Sequence, residues 1–260
     1  MGVGGQAQYW VEPTTFEQMQ AVVNFFKDRN IPVHVVGRGS NMIVRDGGIR
    51  GAVIHPCSGE FDKIELQGRN IVAGAGVKLK KLAAFAAQHG IAGFEWMDGI
   101  PGYVGGSLRM NAGACGGDMW DVFRTAVALN EDGDIIEFEK ENMKGAIYRR
   151  IPEFEHNMVM QATFCGTPDD AQAIGARMDE SRAHRKATQP IAQSAGCTFV
   201  NPEGIPAGKL IDEMGLKGFK MGGAMVSDVH ANFIVNTGNA KATDITELID
   251  YIRNKAKTER

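Results

Sequence analysis

Cysteine, long apolar runs and net charge are all scarce in this sequence, and each shortage excludes a class of protein. The four cysteines, Cys57, Cys115, Cys165 and Cys197, show no C-x-x-C spacing, so neither a disulfide framework nor a zinc site is predicted. The six histidines are dispersed and combine with no cysteine or acidic residue in a metal-ligand spacing. We therefore predict no metal.

The sequence also lacks the features of a membrane protein or a polyanion binder. No stretch approaches the roughly 18 apolar residues that a membrane span needs, and the N-terminus carries no basic and apolar signal segment. The formal net charge is −3, with 28 basic and 31 acidic residues interspersed, so no patch favours nucleic acid or a membrane surface. We expect a soluble cytoplasmic protein that binds neither.

Glycine is the residue in excess. The chain holds 33 glycines, about 13% against a usual ~7%, and 21 of them lie in the first 117 residues. Glycine adopts positive φ and lets a backbone approach a ligand closely. The N-terminal half is therefore predicted to form tight loops that can surround phosphates with main-chain N–H groups.

Apolar periodicity between these glycines predicts a mixed α and β chain. A capping-box pattern at Thr14–Glu17 opens a helix that continues up to the turn at Asn30. A charged helix over Asp169–Lys186 is predicted to connect to a third unit, which has a glycine-punctuated segment from Gly196 to Asn236 and a final helix beginning near Asp244. The dipeptide Asp132-Gly133 predicts a tight hairpin turn. A further helix is predicted over Leu79–Gln88, and strands over Pro32–Val36, Met42–Val44, Ala52–Ile54, Ile64–Leu66, Ile71–Ala73, Val127–Leu129, Ile135–Phe138 and Met158–Phe164.

Two glycine-rich loops are candidate phosphate sites. Gly37-Arg38-Gly39-Ser40-Asn41 follows a strand but lacks the third glycine and the following helix of a Rossmann fingerprint, which argues against a classical NAD domain. The second loop is Gly99-Ile100-Pro101-Gly102-Tyr103-Val104-Gly105-Gly106-Ser107, with Asn111-Ala112-Gly113-Ala114 close behind. Either loop alone could be an ordinary set of tight turns, whereas the two in sequence suggest a dinucleotide.

These loops, with later segments in the same order, resemble the UDP-N-acetylenolpyruvoylglucosamine reductase (MurB) family. The later segments are Tyr148-Arg149, Gln189-Pro190, Gly196–Pro202, Ala207–Asp212, Gly215–Gly218, Gly222–Ala224 and His230–Asn236. The resemblance implies an α+β fold of the vanillyl-alcohol-oxidase type. It further implies two FAD-binding subdomains, residues 1–56 and 57–168, and a smaller α/β substrate domain, residues 169–260.

The resemblance also implies a cofactor and a reaction. FAD would bind without a covalent link, and NADPH would be the co-substrate for reduction of UDP-N-acetylglucosamine-enolpyruvate to UDP-N-acetylmuramate, a step in peptidoglycan precursor synthesis and hence in cell-wall formation and division. We expect a monomer. The residues that would hold FAD are Gly37, Arg38, Gly39, Ser40, Asn41, Met42, Gly99, Ile100, Pro101, Gly102, Gly105, Gly106, Ser107, Asn111, Gly113 and Ala114.

Three residues are the candidate catalytic groups. Arg149 stays charged and can hold a carboxylate while negative charge develops beside it, and Tyr148 would orient substrate or flavin. Without the motif, this pair would be an ordinary surface strand pair. Cys197 occupies the place where the family usually has a serine proton donor, and a thiol is a far stronger acid than an alcohol. Without the flanking motif, Cys197 would be a small buried hydrophobe.

Arg185, Asn201 and Lys209 are candidates for contacts with the substrate's diphosphate, carboxylate, sugar or uridine. The alternative for Arg185, together with Arg182 and Lys186, is the solvated end of a helix, where the dipole favours cations.

The family normally has further residues at both ends, including a C-terminal glutamate that acts in catalysis. Glu259 does not lie in that motif. The sequence therefore leaves open a trimmed chain, a divergent enzyme, or a paralogue that binds flavin or a UDP-sugar with little turnover. Another oxidoreductase of the same flavin fold is disfavoured by the motifs between Gly196 and Asn236.

Overall fold

The computed structural model describes residues 1–259, and in it helices are interspersed with strands along the chain. The helices are α1 (Phe16–Lys27), α2 (Leu79–Gln88), α3 (Val104–Arg109), α4 (Met119–Val122), α5 (Ala171–Thr188), α6 (Ala207–Glu213) and α7 (Ala242–Glu259). The strands are β1 (Ala7–Val11), β2 (Val33–Val35), β3 (Ile49–Ile54), β4 (Ile64–Gln67), β5 (Asn70–Gly74), β6 (Ile91–Ala92), β7 (Gly113–Ala114), β8 (Gly117–Asp118), β9 (Phe123–Leu129), β10 (Ile135–Glu139), β11 (Met158–Cys165), β12 (Thr167–Pro168), β13 (Ser194–Cys197), β14 (Lys220–Met221), β15 (Ala224–Val226) and β16 (Phe233–Asn236). Short 3₁₀ helices cover Gly59–Asp62, Glu95–Gly99, Lys140–Asn142 and Pro152–Phe154.

The chain divides into two units. The larger unit comprises Tyr9–Arg38 and Gly51–Ala183, and the smaller unit comprises Met1–Gln8, Gly39–Arg50 and the residues from His184 onward. The division passes through α5. The three subdomains expected from the sequence remain a prediction.

The larger unit is built on a five-stranded antiparallel sheet in the order β10-β9-β11-β5-β4. The hairpin predicted at Asp132-Gly133 is confirmed, because Ile135 pairs with Leu129 across that turn. One continuous core of buried side chains covers this sheet, including Phe61, Phe123, Phe154 and Phe164. A second sheet, in the order β1-β3-β2, pairs β2 and β3 in parallel.

Helix α1 begins where the sequence predicted, but its cap differs from the predicted one. The Thr15 hydroxyl accepts from the Gln18 amide at 3.2 Å, and Gln18 Oε1 in turn accepts from the Thr14 amide at 2.8 Å. Gln18, three residues after the cap, therefore takes the role that the pattern gave to Glu17. Met19, Val23 and Phe26 form the buried stripe of the helix.

The smaller unit pairs a four-stranded antiparallel sheet, in the order β13-β16-β15-β14, with α6 and α7. Its separate core comprises buried apolar residues of α6, α7, β15 and β16 and of the segments between them, with Met1, Val3 and Ile43 packed against it. Helix α7 starts at Ala242, two residues before the predicted position. Its first amides, those of Ala242 and Thr243, donate to the Asp46 carboxylate at 2.8 and 3.0 Å.

Two predictions about local structure were wrong. Met42–Val44 forms no strand, because among residues 1–259 no neighbouring strand pairs with it. Its apolar side chains also lie in different environments, since Met42 is exposed whereas Ile43 packs on the smaller core. The segment Gly99–Ser107, predicted as a loop, includes the first residues of α3, which begins at Val104. Tertiary bonds override the low helix propensity of its glycines, since the Val104 and Gly105 amides donate to the Val77 and Ala75 carbonyls.

Within residues 1–259, no helix is both long and apolar enough to span a lipid bilayer.

Candidate functional site

The first candidate loop, Gly37 to Val44, presents backbone amides to its surroundings. Among residues 1–259, no protein group accepts a hydrogen bond from an amide between Gly37 and Val44. Gly39 has φ of +64°, which lets the chain turn without a side-chain clash. A run of N–H groups without a protein acceptor is what an anion-binding loop requires, so this segment fits a diphosphate.

The second loop uses many of its own amides internally. The Ile100 amide donates to Met97, the Gly102 amide to Ile100, and the Ser107 amide to Tyr103, each at 2.9 or 3.0 Å. The Val104 and Gly105 amides are also taken by carbonyls of the chain. The loop is therefore rigid, and it offers fewer N–H groups to a ligand than its glycine content suggested.

The glycines of this second loop serve two different purposes. A Cβ on Gly102 would lie 2.7 Å from Ser107 Oγ, and a Cβ on Gly105 would lie 3.0 Å from Ala75 Cβ, so both allow α3 to pack closely. A Cβ on Gly106 would meet nothing within 4 Å. Because no part of the protein requires glycine there, the open side of Gly106 is compatible with a ligand that approaches the backbone.

Asn111 shapes the turn that follows α3. It adopts φ of +38°, its Nδ2 donates to Asp118 at 2.9 Å, and its Oδ1 accepts from the Trp120 amide at 3.0 Å. The β7–β8 hairpin then turns through Cys115 and Gly116. Both residues adopt positive φ, as the two central residues of a type I′ hairpin turn must. Asn111, Gly113 and Ala114 thus have a structural role in the loop as well as the cofactor role expected of them.

An ion pair between the buried Asp98 and the exposed Arg182 supports the start of the second loop, and the sequence analysis did not single it out. The Asp98 carboxylate, with 2% of its side chain exposed, accepts from Arg182 Nε and Nη2 at 2.8 Å each. This contact raises the pKa of Arg182, first through the hydrogen bond and then through the charge of Asp98. Asp98 immediately precedes Gly99, so α5 anchors the start of the loop. No local pattern signals a pairing between residues so far apart.

Tyr148 and Arg149 lie at the tip of a tight turn in the larger unit, not on a strand. The Ile147 and Arg150 backbones bond to each other at 2.9 and 3.0 Å, with the pair between them. Tyr148 is 60% exposed, and Arg149 is half-buried with its guanidinium 5.6 Å from the Tyr148 ring centroid. Arg149 adopts φ of +62°, a strained conformation for a residue with a side chain, and such strain is concentrated at functional sites.

In the smaller unit, Cys197 is the last residue of β13, and the residues that follow it are held by hydrogen bonds from the chain beside strand β16. Cys197 is half-buried and pairs with Phe233, and the preceding Gly196 adopts φ of +79° at an irregularity in the pairing. The buried Asn232 holds the backbone that follows. Its Oδ1 accepts from the Phe199 amide at 2.8 Å, and its Nδ2 donates to the Phe199 carbonyl at 2.9 Å.

Asn232 is a residue whose individual importance sequence reasoning missed. It was recognised only as part of a motif, although an asparagine between the apolar Ala231 and Phe233 at the start of a strand is a signal of a buried, fully bonded amide. The Asn232 carbonyl also accepts from the Thr198 amide at 2.7 Å. One residue therefore fixes the two positions after Cys197.

The predicted substrate contacts also lie in the smaller unit. Asn201 Oδ1 accepts from the Ala207 amide at 2.9 Å and so caps α6, on which Lys209 is exposed and lies 4.0 Å from Glu213. Arg185 is half-buried in the last turn of α5. A separate cavity of about 140 Å³, lined by Glu60, Lys63 and Gln161 among others, contains none of the predicted site residues.

Two family models match successive parts of the chain, one over the glycine-rich loops and the other over candidate residues of the smaller unit. The FAD binding domain matches residues 7–139, which include both glycine-rich loops. The C-terminal domain of UDP-N-acetylenolpyruvoylglucosamine reductase matches residues 188–260, which include Cys197, Asn201 and Lys209. The fold and the loops define an FAD-dependent oxidoreductase of mixed α and β structure.

Comparison with whole relatives gives the family. The chain is 40% identical to the UDP-N-acetylenolpyruvoylglucosamine reductase of Clostridium beijerinckii, over 99% of this chain and 84% of that protein. It is 42% identical to the protein of the same name from Listeria monocytogenes, over 98% and 85% of the two chains. The crystal structure of MurB from Thermus caldophilus superimposes with a TM-score of 0.82 at 37% identity, over 94% of this chain and 87% of that one. The chain belongs to the MurB family.

Proposed function

We propose that this protein reduces UDP-N-acetylglucosamine-enolpyruvate to UDP-N-acetylmuramate with electrons from NADPH, in the synthesis of peptidoglycan precursors. The observation that carries the proposal is the thiol of Cys197, held on a clamped segment in the part of the chain that matches the family's C-terminal domain. One chain would then carry both groups of the reaction's machinery, the flavin loops and the acid.

The cofactor residues proposed are those of the two loops. The segment Gly37 to Met42 would hold the FAD diphosphate through its free amides, and Gly99 to Ser107, with Asn111, Gly113 and Ala114, would supply further contacts to FAD. Bound FAD supplies hydride transfer, accepting from NADPH and giving to the substrate. The protein's own residues carry the remaining work.

Arg149 is proposed to hold the substrate carboxylate. Delivery of a hydride to the enolpyruvyl double bond leaves negative charge on the adjacent carbon and carboxylate, and a fixed guanidinium stabilises that charge as it forms. Tyr148, whose ring lies beside the guanidinium, orients it.

Cys197 is proposed to complete the reaction by donating its proton to that carbon. A thiol remains mostly protonated near neutral pH and gives up its proton far more readily than an alcohol. Arg185, Asn201 and Lys209 are the proposed contacts for the nucleotide-sugar part. We further propose three working subdomains, 1–56, 57–168 and 169–260, a cytoplasmic location set by the nucleotide substrates, and a monomer, which analytical ultracentrifugation checks.

An anaerobic flavin cycle tests the proposal. The purified protein should show the absorbance of bound flavin, lose it on addition of NADPH, and regain it on addition of the enolpyruvyl substrate. Absence of flavin would exclude FAD binding, and bleaching without recovery would exclude the proposed substrate. UDP-N-acetylglucosamine without the enolpyruvyl group is the matched control, and it should restore no absorbance because it has no double bond to reduce.

A further inference from the structure

A side-chain cluster outside the flavin loops gathers three different kinds of metal-ligand atom. Strands β1 and β3 end at Val11 and Ile54, and the His55 amide donates to the Val11 carbonyl at 2.8 Å, so the residues after the two strands lie together. A carboxylate oxygen of Glu12, a ring nitrogen of His55 and the sulfur of Cys57 all lie within 4.8 Å of one another. We propose that these three side chains form a zinc-binding site with one further position open to water.

One ring nitrogen of the His55 imidazole already has a backbone partner. His55 Nδ1 lies 2.8 Å from the Val36 carbonyl oxygen, which can only accept, so Nδ1 carries the proton and Nε2 carries the lone pair. Histidines that bind metals are held in this way, with the second ring nitrogen donating to a carbonyl or carboxylate. The tautomer that zinc requires is therefore selected by the fold.

The carboxylate has a comparable support. Trp10 Nε1 donates to Glu12 Oε1 at 3.1 Å, and the Trp10 ring lies 5.2 Å from the His55 ring. Two of the three ligands thus have a hydrogen-bond partner outside the cluster. All of these residues belong to the larger unit.

The charges around Cys57 favour a cation. The negative charges of the Glu12 and Asp62 carboxylates act on the Cys57 sulfur. Asp62 is partly neutralised by Lys81 at 3.2 Å, whereas Glu12 faces the cluster. A divalent ion would offset this negative field and convert the thiol to the thiolate, releasing its proton to solvent.

The set of ligands selects the metal. One sulfur, one nitrogen and one oxygen suit Zn²⁺, whereas Mg²⁺ and Ca²⁺ prefer oxygen alone. Tetrahedral zinc, with bonds of about 2.0 to 2.3 Å, brings ligand atoms to roughly 3.3 to 3.7 Å from one another. The cluster therefore has to close by about 1 Å, which rotation of the exposed Glu12 side chain can supply. The sequence analysis predicted no metal because Glu12 is distant along the chain from His55 and Cys57, and the His55-Pro56-Cys57 spacing alone matches no zinc motif.

Zinc titration of the purified flavoprotein, stripped of metal with a chelator, tests the site. Calorimetry is expected to show one Zn²⁺ per chain, and the zinc X-ray absorption spectrum is expected to show one sulfur neighbour at about 2.3 Å. Cys57→Ser, His55→Ala and Glu12→Gln should each weaken binding by at least about tenfold. Cys115→Ser and Cys165→Ser, which remove an exposed and a half-buried thiol elsewhere, should leave it unchanged.

Several outcomes would overturn the proposal. These are an absence of zinc binding by the unaltered protein, a spectrum without a sulfur neighbour, or a loss of zinc with Cys197→Ser that Cys57→Ser does not cause. The spectrum of the unaltered protein decides the question even where a variant fails to fold, and retained flavin absorbance identifies the variants that do fold. The site does not depend on the proposed reaction, because zinc binding is measured without NADPH or the sugar substrate.

Discussion

Cys197 and Arg149 each have a local structural feature whose effect can be measured with single substitutions. Cys197 ends a strand whose next residues are held by Asn232, and Arg149 occupies a strained position at the tip of a turn. Both features are local, so substitutions there should change the chemistry without removing the flavin.

Replacement of Cys197 separates the two halves of the cycle. Cys197→Ala should leave flavin reduction by NADPH unchanged and slow reoxidation by the enolpyruvyl substrate by about 10²- to 10⁴-fold, because the proposed proton donor is lost. Cys197→Ser should recover part of the rate. Stopped-flow absorbance measures both steps, with Cys165→Ser as the control. Reoxidation at the original rate in Cys197→Ala would eliminate the thiol as the acid.

At Arg149, two substitutions separate the effect of the side-chain charge from the effect of the strained backbone. Arg149→Ala and Arg149→Gly should both lower turnover by about 10²- to 10³-fold, since each removes the fixed cation. The glycine variant should be more stable than the alanine variant by about 1 kcal/mol, because only alanine has a Cβ at φ of +62°.

Steady-state kinetics and urea unfolding of these two variants provide the measurements. Arg150→Ala is the matched control from the same turn, where the side chain pairs with Glu155 at 2.7 Å, and it should retain turnover. Equal stability of the alanine and glycine variants would contradict the assigned strain.

At the scale of elements, β13 and β16 depend on the amide of Asn232. Asn232→Ala should lower the free energy of unfolding by about 1 to 3 kcal/mol, because the Phe199 N–H and C=O lose their partner. It should also slow substrate-dependent reoxidation while leaving reduction by NADPH intact. The exposed Asn239→Ala is the control. A variant as stable and as active as the original would show that Asn232 does not position the Cys197 segment.

The β14–β15 turn requires glycine for a steric reason. A Cβ on Gly223 would lie 2.4 Å from the Ala240 backbone nitrogen, so Gly223→Ala should destabilise the protein by about 1 to 3 kcal/mol. In Gly175→Ala, the new methyl group meets nothing within 4 Å on helix α5, and the change should stabilise by about 0.5 to 1 kcal/mol. Thermal unfolding of both variants measures the contrast, and shifts of the same sign would refute it.

At the scale of the whole molecule, the smaller unit is assembled from three distant parts of the chain. The Asn236 side chain donates to the Met1 carbonyl at 2.9 Å, and the Asp46 carboxylate accepts from the first amides of α7. These backbone hydrogen bonds lower the pKa of Asp46 below its ordinary 3.8, and bonds from Lys241 and Gly223 lower that of Asp244 in the same way. Both carboxylates therefore stabilise the folded state only while they are ionised.

The stability of this unit should consequently fall in acid. Because the folded pKa of Asp46 is the lower one, its contribution is complete above about pH 4 to 5 and is lost as pH falls through the folded pKa. Asp46→Asn should therefore be less stable than the original protein at pH 7, and the difference should shrink below about pH 4.

Urea unfolding at a series of pH values tests this dependence. Asp250→Asn, on an exposed part of α7, is the control, and it should change stability little at any pH. A difference between Asp46→Asn and the original protein that stayed constant down to acid pH would exclude the cap as its source.

The sequence alone determined the elements with strong local signals. The helices over Leu79–Gln88 and near the C-terminus, the Asp132-Gly133 hairpin and the strand at Met158 follow from apolar periodicity and turn residues, and the family follows from motifs in order. The charged helix is confirmed as α5, shifted by two residues because Asp170 accepts from the Gln172 and Ala173 amides and caps it.

Only the tertiary structure decided the features that depend on distant partners. Helix α3 forms because the Val77 and Ala75 carbonyls satisfy its first amides, and Met42–Val44 stays irregular because no strand pairs with it in the described chain. The Asp98–Arg182 pair and the Asn232 clamp likewise join residues that no local pattern connects, and so does the approach of Glu12 to His55 and Cys57. The sequence specifies local preference, whereas these contacts arise from long-range hydrogen bonds and charges that exist only after the chain has folded.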